Sequence, residues 1–138
     1  MATVTTTVFP FVMPVEVAAT IARIGLGLLF ILHGWPKIKD IKATTSWVKK
    51  TGWPGAVLFA VLFALLEFFG GIALIVGFLT QVVALLIVLE MIATSIFSKK
   101  ALGKKFMGGY ELDVVYAILA LTVMLLGPGR WSLDAVLG

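Results

Sequence analysis

The 138-residue chain has no cysteine and no asparagine, one histidine (His33) and one glutamine (Gln81), and only 13% of its residues are charged. Without cysteine the chain supplies no thiol redox couple, no iron–sulfur ligands and no disulfide. A lone histidine excludes a bis-histidine haem held within one chain. The scarcity of thermolabile amides is weakly compatible with a thermophilic source.

What fills the chain instead is apolar: 61% of residues are hydrophobic and the mean hydropathy is +1.12. A composition this poor in charge lies outside the soluble range of about 25%. It reads as an integral membrane protein, a single domain over 1–138 with room for four spans and no soluble catalytic domain. The first fourteen residues carry no base and no polar-flanked cleavage site, so they do not read as a signal peptide. The first span is placed at 15–33, from behind Pro14 to Gly34-Trp35-Pro36. Ala56 to Phe97 is a run of 42 residues, about 63 Å as one helix and twice the hydrocarbon thickness. It must therefore fold back, and the break is placed at Gly77 to Gln81, giving spans at 56–76 and 81–97. A fourth span at 112–126 is stopped by Gly127-Pro128-Gly129. The expected fold class is an all-α antiparallel bundle of four transmembrane helices, with a short amphipathic segment between the first two.

All nine lysines fall in two segments, 37–50 and 99–105. In a four-span bundle these loops share one side, which the positive-inside rule assigns to the cytoplasm of the plasma membrane. Loops 34–55 and 98–110 are thus expected inside and both termini outside. The net charge of +4 then reflects topology and anionic lipid, and nucleic acid is excluded as a partner. Trp35, Trp47, Trp53 and Trp131 fall at span ends or loops, as interfacial aromatics do. Ile38 to Val48 reads as a surface helix.

The functional candidates are the charges that the bilayer makes costly. Arg23, Glu67 and Glu90 lie within spans, where each costs roughly 2.5–3.5 kcal/mol if it faces lipid. Counted from the cytoplasmic ends, Arg23 is ten residues deep, Glu67 eleven and Glu90 seven. This count places Arg23 level with Glu67 and predicts an ion pair between them. Small residues beside each (Ala60, Ala64, Gly70 and Gly71; Ala19 and Gly27) predict close helix contact. One guanidinium neutralises one carboxylate, which leaves the other carboxyl to hold and exchange a proton. His33, Lys37, Tyr110, Glu111 and Asp113 extend the set toward the inner surface as a polar ladder. Two readings stand side by side: a quinone or proton site, whose ring carbonyls want donors and whose reduction needs protons, or a structural ion pair that specifies helix assembly. No metal site is expected, because one imidazole and lysine-matched carboxylates make a poor ligand set. Gly127-Pro128-Gly129-Arg130 with Asp134 reads as a terminus lock in which Arg130 pairs with Asp134.

Arg23-Ile-Gly25-Leu-Gly27, His33-Gly34-Trp-Pro-Lys37, Glu67 with Gly70-Gly71 and Gly77, and the closing Gly127-Pro128-Gly129-Arg130-Trp-Ser-Leu-Asp134 together resemble the DoxX family of small four-helix membrane proteins. The resemblance runs from about residue 15 to the end. It implies a small membrane subunit of a quinone-linked respiratory or sulfur-oxidising oxidoreductase, with Arg23, His33, Lys37, Glu67 and Glu111 at the family's polar positions. Such a subunit would work with protein partners in a membrane complex. Quinone is the one cofactor it implies, with no haem, flavin or iron–sulfur centre expected on this chain alone. The alternative is a non-catalytic anchor that docks a partner enzyme.

Overall fold

The computed structural model describes residues 14–138, and the stretch read as lacking a cleavage signal lies almost wholly outside the described residues. The chain runs through α1 (Val15–Lys39), α2 (Ile41–Lys49), α3 (Ala56–Val76), α4 (Thr80–Lys100), α5 (Phe106–Leu126) and α6 (Leu133–Leu137). Among the described residues there is no strand, and α1, α3, α4 and α5 are long and apolar enough to cross a bilayer. This is the expected all-α bundle of a multi-pass membrane protein.

The first boundary differs from expectation. α1 does not stop at Gly34-Trp35-Pro36 but continues six residues to Lys39 with Pro36 inside it. Proline removes one ladder donor, a loss that neighbouring groups in a membrane bundle can absorb. The helix gains from continuing: Gly34 lies so close to α3 that a Cβ there would stand 2.6 Å from the Phe68 nitrogen. Asp40 then starts α2, its Oδ1 accepting the Ala43 N–H at 2.9 Å, and the surface helix covers Ile41–Lys49 instead of Ile38–Val48.

α1 is the central element. It packs on the second half of α3 and on α5, while α4 lies along α5. Gly27 and Gly71 fix the α1–α3 contact, since a Cβ on either would meet the other's carbonyl oxygen at 2.6 Å. α3 carries a π-helical turn at Leu66–Gly70 and ends at Gly77, whose φ of +79° puts it in the left-handed region. The hydrophobic core, with Leu26, Phe30, Leu74, Ile87, Ala120 and Val123 among its buried members, fills the seam between α1, α3, α4 and α5.

Toward the lysine-rich end the bundle is not closed. Ala56–Leu65 packs on α1 and α2, whereas α4 meets α3 chiefly from Leu66 onward. The wedge between them is a cavity of about 720 Å³.

Candidate functional site

The cavity collects side chains from α1, α2, α3, α4 and α5, and its wall is mostly apolar: Phe30, Trp47, Trp53, Phe63, Met91 and Phe97 contribute the larger faces. Trp47 and Trp53 reach Phe97 edge-on, at ring separations of 6.5 and 6.0 Å. Phe59 and Ile96 line the cavity and are about half exposed, marking the side of the wedge that faces lipid.

Polar groups converge on this wall. The Lys37 ammonium donates to Glu67 Oε1 at 2.7 Å, with the lysine side chain 41% exposed and the glutamate 5%. α1 brings Lys37 there because it runs past Pro36, and the π turn presents Glu67 on the facing helix. His33 lines the same wall and sits edge-on to Tyr116 at 5.4 Å. Its Nδ1 lies 2.7 Å from the Leu29 carbonyl. A carbonyl only accepts, so Nδ1 carries a proton and Nε2 is the ring nitrogen left for other partners. Asp113 lines the cavity beside Thr94, with Lys104, Lys37 and Glu67 as charged neighbours.

Glu90 lies behind this wall and is 1% exposed. It stands against Glu67 and within the field of Lys37 and Asp113. Both Glu90 carboxyl oxygens and Glu67 Oε2 are buried without a hydrogen-bond partner. Three orphaned acceptors at one place are costly unless something positive or a donor meets them.

Four of the expected residues thus line one cavity: His33, Lys37, Glu67 and Asp113. Glu90 adjoins it through Glu67. The other three do not belong. Glu111 accepts the Gly108 N–H at 2.8 Å and braces the kink at the start of α5, where Met107 and Gly108 leave helical geometry, while Tyr110 stacks edge-on against Phe106 at 5.4 Å.

The expected Arg23–Glu67 pair does not form. Arg23 is fully buried as expected, but its guanidinium donates to four backbone carbonyls: Leu74 at 2.6 Å, Ile75 at 2.8 Å, Pro128 at 2.9 Å and Trp131 at 2.7 Å. The depth estimate counted from His33 when the helix ends at Lys39, which accounts for about 9 Å of the offset; the rest is a difference in how far α1 and α3 extend past one another. Glu67 lies level with Gly34, which is about 16 Å along α1 from Arg23 at the α-helical rise. Leu74 and Ile75 stand in the last turn of α3, where carbonyls lack helical partners and the helix dipole is negative. Arg23 is therefore the C-terminal cap of α3 and the peg of the Gly127–Trp131 turn.

The terminus lock also closes differently. Arg130 lies 3.7 Å from Glu16 and over the Trp131 ring. Asp134 instead accepts the N–H groups of Leu79 at 2.8 Å and Thr80 at 2.9 Å, capping α4 across 55 residues of sequence. Leu79 sits at φ +49°, unusual for a side-chain-bearing residue, and these two bonds hold it there.

The site residues that sequence reasoning missed are Thr94, Tyr116 and the aromatic wall. Thr94 is one helical turn from Glu90, and Tyr116 is three residues from Asp113. Face-sharing at these spacings was the available signal.

Comparison with known proteins agrees with this architecture. The family signature described as DoxX matches residues 18–100. The inner membrane protein YqjF of Escherichia coli is 34% identical over 127 residues, covering 88% of this chain and 93% of that protein. A Bacillus subtilis protein named "Putative oxidoreductase CatD" is 27% identical, covering 86% of each chain. The inner membrane protein YphA of Escherichia coli is 28% identical over 83% of this chain and 86% of its own length. No solved structure matches. With the signature spanning more than half of a four-helix membrane bundle and a relative aligned over most of its length, the chain belongs to the DoxX family.

Proposed function

We propose that this protein is a small membrane subunit of a quinone-linked oxidoreductase and that the cavity between α3 and α4 receives the quinone headgroup. The observation that carries the reading is the cavity itself: about 720 Å³, within the roughly 300–1,000 Å³ of small-molecule sites. Its walls are aromatic, with the Lys37–Glu67 pair and His33 on one side. The residues fit such a guest. Ring carbonyls need donors, which Lys37 supplies, and the orphaned Glu67 oxygen offers a proton relay beside the same wall. The lipid-facing side at Phe59 and Ile96 suits an isoprenoid tail. When bound, a quinone supplies two-electron, two-proton redox chemistry that this chain lacks. Lys37 and His33 orient the head, Trp47, Trp53 and Phe97 exclude water, and electrons come from a partner protein bearing a flavin, haem or sulfur centre. The relative named as an oxidoreductase supports the same reading. By the positive-inside rule the lysine-rich loops and the cavity mouth lie on the cytoplasmic side, with both termini outside.

Titration of detergent-purified protein with a short-chain ubiquinone tests this. Saturable quenching of tryptophan fluorescence is expected, because Trp47 and Trp53 line the cavity, and replacing Lys37 by Met should weaken it severalfold. If quenching never saturates and no quinone co-purifies from native membranes, the reading is lost.

A further inference from the structure

Glu90 takes no part in the cavity wall, yet it is buried inside a bilayer-spanning helix at 1% exposure. The groups that face it are Glu67 from α3, Lys37 from α1 and Asp113 from α5. Glu67 itself is 3% exposed and spends Oε1 on Lys37. That leaves Glu67 Oε2 and both Glu90 oxygens with no donor. Two adjacent carboxylates with one ammonium would bury an uncompensated negative charge, a cost of several kcal/mol that bonding to a proton removes. No backbone N–H is free to serve, since both carboxyls project from within continuous helices, Glu67 in the π turn and Glu90 in α4.

We propose that Glu67 and Glu90 form a proton-binding dyad that holds one shared proton at neutral pH, with Glu90 as the sealed store and Glu67 as its outlet to the cavity. The division of roles follows from position. Glu67 lines the cavity and Glu90 does not, so a proton leaving Glu90 passes to Glu67 Oε2 and from there to an acceptor in the cavity. The donor O–H bond breaks as the acceptor–H bond forms, and the dyad, left with one more negative charge, regains a proton from water at the lysine-rich end. Lys37 sets the stoichiometry: its single positive charge balances one carboxylate, so the pair keeps one proton instead of two or none. The π turn places a residue with locally loosened backbone pairing at the outlet. This site does not depend on the guest being a quinone; any proton acceptor in the cavity would draw on it.

Infrared spectroscopy of the detergent-purified protein reads the proton directly, through the carbonyl stretch of a protonated carboxylic acid and its shift in heavy water. At neutral pH the wild type should show this band. Glu90→Gln should abolish it, and so should Glu67→Gln, because Lys37 then balances the remaining carboxylate. Lys37→Met should roughly double it, since both carboxyls must then be neutral. Asp113→Asn should leave it in place. A wild type without the band, or a band indifferent to Glu90→Gln, overturns the proposal. So does a band that vanishes when sodium chloride replaces choline chloride, which would assign the three oxygens to a metal cation. Because wild type alone decides the first and last of these, poor folding of a variant does not block the test. No quinone is added, so failure of the dyad and failure of quinone binding are separate results.

Discussion

Lys37 Nζ and Glu67 Oε1 lie 2.7 Å apart across the α1–α3 interface, and the contact exists only because α1 runs through Pro36 to Lys39. Had the helix stopped at His33, the lysine would belong to a surface loop and Glu67 would have no cation. Replacing Lys37 by Met should therefore lower stability. Loss of a partner from a fully buried pair costs about 3–5 kcal/mol; with the lysine side chain 41% exposed, about 1–3 kcal/mol is expected after solvent screening. The double replacement Lys37→Met with Glu67→Leu should recover most of it, as judged by thermal melting in detergent. Additive losses in the double variant would show that the two groups do not act on each other.

Arg23 and Lys37 make opposite demands on a substitution. Arg23 serves four carbonyls from two segments with one planar fork. Arg23→Lys keeps the charge but cannot reach all four, so a loss of about 3 kcal/mol or more is expected. A melting temperature unchanged in Arg23→Lys would contradict the capping role.

The glycines of α1 separate contact from conformation. A Cβ at Gly27 would press on the Gly71 carbonyl, whereas Gly25 has nothing within 4 Å. Gly27→Val should destabilise by at least about 1–3 kcal/mol. Gly25→Ala should be neutral or stabilise by up to about 1 kcal/mol, through the helix preference for alanine. Chemical unfolding of both variants in mixed micelles gives the comparison, and equal effects would sink the assigned helix contact.

Asp134 links stability to pH at the opposite end of the bundle. Burial pushes its carboxyl up, but hydrogen bonds from Thr80 and Leu79 and the charge of Arg23 outweigh this and hold it below the usual carboxylate range. A folded-state value below the unfolded one gives stabilisation that is complete above the ordinary range and disappears as pH falls through the lowered value. Asp134→Ala should cost about 0.5–2 kcal/mol near pH 7, as a lost helix cap does. The gap between wild type and variant should narrow below about pH 4. A gap that stays constant into acid would exclude the carboxylate as its source.

Sequence alone determined that four apolar helices span a membrane, that Glu67 and Glu90 turn inward, and that all nine lysines share one end. These follow from the cost of charge in hydrocarbon, which depends on residue type and run length and not on neighbours. Pairing was decided by the tertiary structure. α1 and α3 stand about three helical turns out of the register the sequence suggests, so Glu67 met Lys37 instead of Arg23, and Arg23 was left to cap α3. The cap of α4 by Asp134 and the cavity between α3 and α4 arise between segments far apart in the chain. Local patterning fixes which side chains avoid lipid, but which groups they meet depends on how far one helix slides along another, and glycine contacts such as Gly27 on Gly71 set that distance.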